Sequence, residues 1–81
     1  MHEIAIVGAA GKMGSWFTNY FVRRGFAVSV YDVNRQMLRP SGSVKVANSI
    51  DDCVQDADFV LVSVPVRMTP RVIKECAKSM K

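Results

Sequence analysis

The sequence predicts an α/β fold built on a parallel sheet, and three observations support this prediction. Short, continuous apolar runs of strand length are separated by segments with helical periodicity. The two kinds of segment alternate along the chain, which is the pattern of right-handed β–α–β units. The apolar runs are bounded by turn residues and contain few polar side chains, as in strands that helices cover on both faces.

The size and composition of the chain indicate one globular domain that spans residues 1–81. A chain of 81 residues has the length of a single domain. With 49 % hydrophobic and 22 % charged residues, it is also too apolar to belong to the disordered class.

Four segments are predicted to be strands. Glu3–Val7 is a continuous apolar run rich in β-branched residues, and Phe26–Asp32 has the same character. Asp58–Pro65 is the most hydrophobic of the four. Val44–Ala47 is shorter and follows the turn-forming residues Pro40–Ser43.

The first predicted helix spans Lys12–Gly25. Two arginines lie in its last turn, where cations suit the negative end of the helix dipole. Gly25 ends the helix at a position where left-handed backbone geometry is common. The apolar residues recur at i, i+3, i+4, i+7 and i+8, so we expect one continuous face formed by Met13, Trp16, Phe17, Tyr20 and Phe21.

Three further segments are predicted to be helical. Ser49–Ala57 starts with a serine three residues before Asp52, which is close to a capping box. Thr69–Lys81 starts with a threonine as N-cap and has Pro70 at the first helical position. Val33–Leu38 is expected to form a short irregular helix. The buried face of the last helix is predicted to consist of Val72, Ile73, Cys76, Ala77 and Met80.

The alternation places the strands in the order 3-2-1-4 with helices on both faces, which is the first half of a doubly wound, Rossmann-type fold. A complete fold of this type has two more strands, so the predicted fold is incomplete. The strand Asp58–Val64 would then be an open apolar edge. We expect either that the chain is the truncated N-terminal domain of a longer protein or that a partner chain covers this edge.

The stretch IVGAAGKMG, residues Ile6–Gly14, joins the first strand to the first helix and is similar to a dinucleotide-binding turn. Gly8 lets the chain turn sharply, Gly11 lets the backbone approach a pyrophosphate, and Gly14 lets the helix pack against the strand. The helix N-terminus would attract the phosphates. The first two glycines are one residue farther apart than in the familiar fingerprint, so a plain strand-to-helix loop is the alternative.

Asp32 ends the second predicted strand. In this fold an acidic residue at that position accepts hydrogen bonds from the hydroxyls of the adenosine ribose. The alternative is a residue that only starts a loop. The carboxylate would repel the 2′-phosphate of NADP, so NAD is the favoured cofactor, with NADP as the alternative. Arg35 would lie over the adenine, hold a 2′-phosphate, or be a solvated surface charge.

A third segment, Ser63–Thr69, leaves the carboxyl end of the last strand, in the crevice where doubly wound folds bind ligands. We expect the Ser63 hydroxyl to face the nicotinamide ribose and Pro65 to force an extended exit. The alternative is that both residues only end a strand. The predicted cofactor-binding residues are Gly8, Ala10, Gly11, Lys12, Met13, Gly14, Asp32, Val33, Asn34, Arg35, Ser63, Val64, Pro65 and Thr69.

Composition and charge argue against several other functions. The net charge of +4 comes from scattered lysines and arginines without an aromatic stripe, which argues against nucleic-acid binding. The apolar runs are far shorter than the ~20 residues of a membrane span. The stretch after Glu3 lacks the basic leader of a signal peptide. These features favour a cytoplasmic protein.

The isolated reactive residues are predicted to be structural. Cys53 and Cys76 lack metal-site spacing, so we expect reduced, half-buried core cysteines. His2 is expected to be a surface residue without a partner. The aspartates of Ser49–Ala57 are expected to cap a helix and face solvent. We therefore assign no metal ligand and no catalytic residue within this chain.

Nearly the whole chain resembles the N-terminal domain of prephenate dehydrogenases, especially archaeal ones. The similarity is carried by the run from Gly8 to Asp32 and by the run from Asp56 to Glu75. Its most specific pieces are Gly14–Phe17 (GSWF) and Ser63–Pro65 (SVP). The glycines and the acid at the end of the second strand are shared with many NAD(P) enzymes.

The resemblance implies a parent enzyme that oxidises prephenate with NAD or NADP in tyrosine biosynthesis. Hydride transfer would accompany decarboxylation and give 4-hydroxyphenylpyruvate. Members of the family use a histidine, often a serine, and arginines to engage the substrate, together with a helical second domain for dimerisation. None of these features can be matched to this chain, so the resemblance implies a cofactor domain that is inactive alone and part of a homodimeric enzyme.

Two alternatives to this function remain open at the level of sequence. One is another NAD(P)-dependent β-hydroxyacid or imine dehydrogenase, or a deazaflavin-linked NADP reductase, since these share the fold and a similar turn. The other is a non-catalytic NAD-sensing module, which would keep the turn and need no chemistry.

Overall fold

The computed structural model describes residues 2–34, 38, 44–64 and 68–79. The elements follow the predicted order, with somewhat shorter ends. Val33, Asn34 and Leu38 are not helical, and the rest of the short helix predicted there lies outside the described residues. The elements are β1 (Glu3–Val7), α1 (Lys12–Arg23), β2 (Ala27–Tyr31), β3 (Val44–Val46), α2 (Ile50–Val54), β4 (Phe59–Val62) and α3 (Thr69–Ser79).

The four strands form one parallel sheet in the order β3-β2-β1-β4, which confirms the predicted topology. β1 lies in the middle, because it pairs with β2 on one side and with β4 on the other. Val7 at the end of β1 is in register with Tyr31 of β2 and with Val62 of β4. The carboxyl ends of these three strands therefore meet at one edge of the sheet.

Helices cover both faces of the sheet. Ile4 and Ile6 of β1 belong to an apolar cluster with the α1 side chain Phe17. The alternate residues Ala5 and Val7 belong to a second cluster, which includes residues of α2 and α3. This alternation is what a strand buried on both faces requires. The fold is therefore the predicted doubly wound, Rossmann-type α/β fold.

The buried face of α1 differs from the predicted one. Gly14 is buried, and Phe17, Phe21 and Val22 pack on the sheet. The true face is displaced from the predicted one by about one residue, or about 100° around the helix. The first turn of the helix packs through Gly14 on the turn that follows β1, although this glycine carries no hydrophobic signal in the sequence. The predicted core positions that prove to be exposed, at 59, 57 and 38 % of their surface, are Met13, Trp16 and Tyr20.

The buried stripe of α3 is narrower than predicted. Val72 and Cys76 are buried, but Ile73 is 51 % exposed and Ala77 is also exposed. Met80 lies outside the described residues. The helix begins at Thr69 itself, so this threonine is the first helical residue and not the residue before the helix.

The end of α1 that the sequence predicts at Gly25 is capped by backbone hydrogen bonds. Gly25 has a φ of +83° and follows α1. The Phe26 N–H donates to the Phe21 carbonyl and the Gly25 N–H donates to the Val22 carbonyl, both at 3.1 Å. This pair of bonds is a Schellman motif, which confirms the predicted end of the helix.

The start of α2 is held by the predicted serine cap. The Ser49 hydroxyl accepts a hydrogen bond from the Asp52 N–H at 3.0 Å. The Asp52 carboxylate accepts in turn from the Asn48 N–H at 3.1 Å and from the Lys45 ammonium at 3.0 Å. The bond from Asn48, followed by the bond from Lys45, holds the pKa of Asp52 below its ordinary value. The prediction of a capping role is confirmed.

The open edge of the sheet lies along β4. Among the described strands, only β1 pairs with β4, and Phe59 at its start is 57 % exposed. His2 lies beside this edge. Its ring stacks on Phe26 and its Nδ1 atom is 3.8 Å from a carboxylate oxygen of Asp58. The expected exposure of His2 is thus confirmed, but the expectation that it has no partner is wrong.

Both cysteines are free thiols, as expected, but they are fully buried and not half-buried. The Cys53 thiol donates to the Ser29 carbonyl at 3.5 Å and accepts from the Ser29 hydroxyl at 3.6 Å. Burial, which disfavours the thiolate, raises the pKa of Cys53 to about 11. It also raises the pKa of Cys76. Neither thiol has the lowered pKa of a reactive cysteine.

Burial of Cys53 predicts a loss of stability at alkaline pH. Its pKa is higher in the folded state than in the unfolded state, so its contribution is complete below about pH 9 and is lost as the pH rises towards 11. We expect the free energy of unfolding to fall by about 2 kcal/mol over this interval because of this thiol. Urea unfolding at several pH values would measure the fall. A Cys53→Ala variant with the same pH slope as the wild type would contradict this assignment.

Candidate dinucleotide-binding site

The three predicted site segments converge at the carboxyl edge of the sheet. The Gly8 N–H donates to the Tyr31 carbonyl at 2.7 Å, which ties the turn after β1 to the end of β2. The Ser63 N–H donates to the Val7 carbonyl at 2.8 Å, which ties the end of β4 to β1. The turn, Asp32 and Ser63 therefore border one region of the surface, where doubly wound folds bind their ligands.

Gly8 is required by the geometry of the turn. Its φ is +89°, a conformation that residues with a side chain rarely adopt. A Cβ atom at this position would collide with the Ser63 carbonyl oxygen and lie 2.6 Å from the carbonyl carbon. It would also lie 2.9 Å from the Val64 side chain. The turn after β1 thus packs directly against the exit of β4.

Gly14 is required by packing. A Cβ atom here would collide with the Gly8 carbonyl oxygen and lie 2.7 Å from the Ala9 Cα atom. The first turn of α1 therefore lies directly against the glycine turn, which brings the helix N-terminus to the carboxyl edge of the sheet.

Gly11 is required neither by its backbone conformation nor by packing against the described part of the chain. Its φ is −72°, which any residue adopts, and a Cβ atom would lie 3.9 Å from the nearest neighbour, the Gly8 carbonyl oxygen. Gly11 is the N-cap of α1, and it has no side chain that could accept a hydrogen bond from the first turn. A serine or an aspartate at this position would provide such a cap. Among the described residues, no neighbour of Gly11 therefore requires a glycine at this position.

The N-terminus of α1 has the charge of an anion site. The Ser15 N–H donates to the Gly11 carbonyl at 2.9 Å, which is the first hydrogen bond of the helix. By helix geometry, the N–H groups that precede Ser15 in the helix have no carbonyl partner within it. The first turn contains no acidic residue, and Lys12 is its first residue. A cation at the positive end of a helix dipole is unfavourable by itself and becomes favourable when an anion binds beside it. This arrangement can hold a phosphate.

Asp32 contacts the glycine turn directly. One carboxylate oxygen accepts from the Ala10 N–H at 3.1 Å, and the other accepts from the Asn34 N–H at 2.9 Å. The bond from the Asn34 N–H shows that Asp32 also starts the loop after β2, which was the alternative interpretation of this residue. The two roles are compatible, because two carboxylate oxygens offer about four acceptor positions and leave room for ribose hydroxyls.

The other predicted site residues are distributed around this arrangement. Val33 and Asn34 follow Asp32 and are exposed, as is Met13 in α1. Ser63 and Val64 are half-buried at the end of β4. Thr69 is the first residue of α3. The remaining two, Arg35 and Pro65, lie outside the described residues.

Ser15 contacts the turn although no role is predicted for it from the sequence. Its hydroxyl donates to the Ala9 carbonyl at 3.2 Å. The only sequence signal is a serine in the first turn of a helix whose N-cap lacks a side chain, and such serines often face solvent. The partner of the hydroxyl depends on the path of the turn.

The structure offers no sign of a metal site or of a membrane span in the part of the chain that it describes. No group of three or more potential metal ligands lies together among those residues. None of the described helices is long and apolar enough to cross a membrane.

Comparison with known families identifies the chain. Residues 3–80 match the family described as the NAD binding domain of 6-phosphogluconate dehydrogenase. The chain belongs to this family. As an NAD-binding domain, it has a dinucleotide as its cofactor.

Two curated proteins are similar to this NAD-binding domain. A "Probable arogenate/prephenate dehydrogenase" of Methanocaldococcus jannaschii is 32 % identical over 81 residues, which cover 96 % of this chain and 18 % of that protein. A "T-protein" of Haemophilus influenzae is 35 % identical over 74 residues, which cover 91 % of this chain and 17 % of that protein. These matches confirm the resemblance to prephenate dehydrogenases. The chain spans less than a fifth of the length of either relative. No solved structure matches it significantly.

Proposed function

We propose that this domain binds NAD across the carboxyl edge of its sheet and serves a dehydrogenase that acts on prephenate or arogenate. The observation that supports the cofactor site most directly is Gly11. Of the three glycines in the turn, it is the one whose small size is not required by any neighbour among the described residues. A pyrophosphate that lies against the backbone accounts for it.

The residues of the site divide by the part of the cofactor that they would hold. The turn from Gly8 to Gly14, with Lys12 and the helix N-terminus, would bind the pyrophosphate. Asp32 would accept hydrogen bonds from the adenosine ribose, with Val33, Asn34 and Arg35 beside the adenine. Ser63, Val64, Pro65 and Thr69 would border the nicotinamide ribose.

The preference for NAD over NADP follows from charge. The Asp32 carboxylate accepts from the Ala10 N–H of the turn and from the Asn34 N–H of the loop after β2, and these two bonds would hold its negative charge beside the ribose. That charge would repel a 2′-phosphate, and it would accept hydrogen bonds from a free 2′-hydroxyl.

The substrate is inferred from the relatives. One of them is named as an arogenate/prephenate dehydrogenase, and the sequence pieces GSWF and SVP support the same family. NAD, when bound, supplies the hydride acceptor for oxidation of such a substrate. This chain's residues would bind and orient the cofactor. Groups that engage the substrate, and the dimer interface, would come from the rest of a longer enzyme.

Binding of the cofactor can be tested on the chain itself. Trp16 is its single tryptophan and lies on α1, whose N-terminus is in the proposed site. NADH absorbs where tryptophan emits, so binding should quench Trp16 emission and excite NADH fluorescence. Calorimetry with NAD would give the affinity. Absence of heat and of energy transfer at millimolar cofactor would refute the proposed binding.

We expect Gly11→Ala to weaken NAD binding about tenfold, because the added methyl group occupies the space of the pyrophosphate. Its effect on the free energy of unfolding should be below about 1 kcal/mol, since the backbone conformation suits alanine and the methyl group meets no neighbour. Calorimetry and urea unfolding measure the two quantities. Normal NAD affinity in a folded Gly11→Ala variant would show that no ligand approaches this backbone.

The dehydrogenase can be tested with a chimera in which this chain replaces the matching segment of the Methanocaldococcus jannaschii protein. We expect prephenate-dependent or arogenate-dependent reduction of NAD, measured by absorbance at about 340 nm. A folded, NAD-binding chimera that reduces NAD with neither substrate would instead favour a different dehydrogenase or a non-catalytic NAD-sensing module. The native relative is the matched control.

A further inference from the structure

We propose that Ser15 is a positioning residue for the cofactor turn, acting with Asp32 to clamp the peptide unit between Ala9 and Ala10. The proposal rests on the proposed NAD site. It gives Ser15 a role that neither the family match nor the glycine pattern supplies, and it gives Asp32 a second role beside recognition of the ribose.

The side chains of Ser15 and Asp32 hold opposite ends of one peptide unit. The Ser15 hydroxyl donates to the Ala9 carbonyl at 3.2 Å. The Asp32 carboxylate accepts from the Ala10 N–H at 3.1 Å. The Ala9 carbonyl and the Ala10 N–H belong to the same planar amide, so the two bonds together fix the orientation of that plane.

This peptide unit lies in the lengthened part of the turn. The first two glycines are separated by Ala9 and Ala10, one residue more than in the familiar fingerprint. Before this unit, the N–H groups of Gly8 and Ala9 both donate to the Tyr31 carbonyl. After it, Gly11 is the N-cap of α1. The Ala9–Ala10 amide is thus the link between two anchored segments, and its rotation would redirect the backbone that meets the phosphates.

The clamp also connects two parts of the proposed site. Asp32 would hold the adenosine ribose, and the same carboxylate holds the turn that would receive the pyrophosphate. Ser15 acts on the other end of the same amide. A preorganised turn loses less conformational freedom when the ligand binds, so both side chains should increase affinity through the position of the turn.

The first test compares Ser15→Ala with a matched control. We expect Ser15→Ala to weaken NAD binding about three- to tenfold, measured by calorimetry, and Ser15→Thr, which keeps a hydroxyl, to restore most of the loss. Thr18→Val is the control. Like the Ser15 hydroxyl, the Thr18 hydroxyl donates to a backbone carbonyl, but its partner is the Gly14 carbonyl of α1, at 2.7 Å, and not the Ala9–Ala10 amide. Thr18→Val should leave affinity unchanged. Equal losses in Ser15→Ala and Thr18→Val would overturn the proposal.

The second test is a double-mutant cycle with Asp32→Ala. Because Ser15 and Asp32 act on one amide, the Ser15→Ala effect on NAD affinity should fall below about twofold when Asp32 is already replaced. Independent, multiplicative losses in affinity would overturn the clamp.

A third measurement needs no cofactor. Exchange of the Ala10 amide hydrogen, followed by nuclear magnetic resonance, should become faster in Ser15→Ala and remain unchanged in Thr18→Val. Unchanged Ala10 exchange in Ser15→Ala would overturn the clamp even if NAD binds normally. If the wild-type chain fails to bind NAD, the proposed function is refuted together with the positioning role, and faster exchange would then identify the clamp as a feature of the fold alone.

Discussion

Gly8→Ala is expected to destabilise the domain by about 3–5 kcal/mol. Two costs add at this position. Alanine resists a φ of +89°, and its Cβ atom would overlap the backbone carbonyl of Ser63, which cannot move aside without breaking the pairing of β4 with β1. A domain of this size has a total stability of about 4–12 kcal/mol. The Gly8→Ala variant should therefore lose a large share of the domain's stability, as measured by circular dichroism and urea titration.

The matched control is Gly25→Ala. Gly25 also has a positive φ, +83°, but a Cβ atom there would meet no atom of the described residues within 4 Å. The variant should cost only the backbone strain, about 1–2 kcal/mol, and should stay folded. Equal losses for Gly8→Ala and Gly25→Ala would show that the approach of the turn to β4 is looser than the structure indicates.

Asp32→Ala should have the largest effect on cofactor binding, a loss of NAD affinity on the order of ten- to a hundredfold. The variant removes the charged acceptor proposed for the ribose hydroxyls and also the partner of the Ala10 N–H. NADP binding should weaken much less, because removal of the carboxylate also removes its repulsion of the 2′-phosphate. The ratio of the two affinities, measured by calorimetry, should therefore approach one.

Asp56→Ala is the control for the change in net charge. Asp56 is exposed and lies in the turn between α2 and β4, at the opposite end of the strands from the proposed site. It should leave both affinities unchanged. If Asp32→Ala leaves them unchanged as well, Asp32 is only the loop-starting residue that bonds Asn34, and the assignment to the ribose is wrong.

Much of the fold was predictable because the signals that define it are local. A strand such as Glu3–Val7 is recognisable from its own composition, and the ends of helices depend on single residues such as Ser49 and Gly25. The strand order then follows from the handedness of parallel connections. The contact between the turn and Asp32 was predictable from this strand order, because both lie at the carboxyl ends of the neighbouring strands β1 and β2.

The side of α1 that faces the sheet was not predictable from hydrophobicity. The pattern favours a face with Met13 and Trp16, but the helix packs closely on the turn after β1 at Gly14, which contributes no apolar surface of its own. The close contact between Gly14 and this turn sets the rotation of the helix about its axis. That rotation decides which aromatic side chains face the sheet and which face solvent. Phe17 and Phe21 are half-buried against the sheet, whereas Trp16 is exposed.

The spacing of glycines, the acid after β2 and the alternation of strands and helices are properties of the chain itself, because each depends on neighbours in sequence. The partners of Ser15 and Asp32, and the absence of any internal need for glycine at Gly11, are decided by distances between segments far apart in sequence. Such distances exist only once β1, β2 and β4 have paired. The glycine positions of the turn IVGAAGKMG are thus readable in the sequence, whereas its orientation is determined by the tertiary contacts around it.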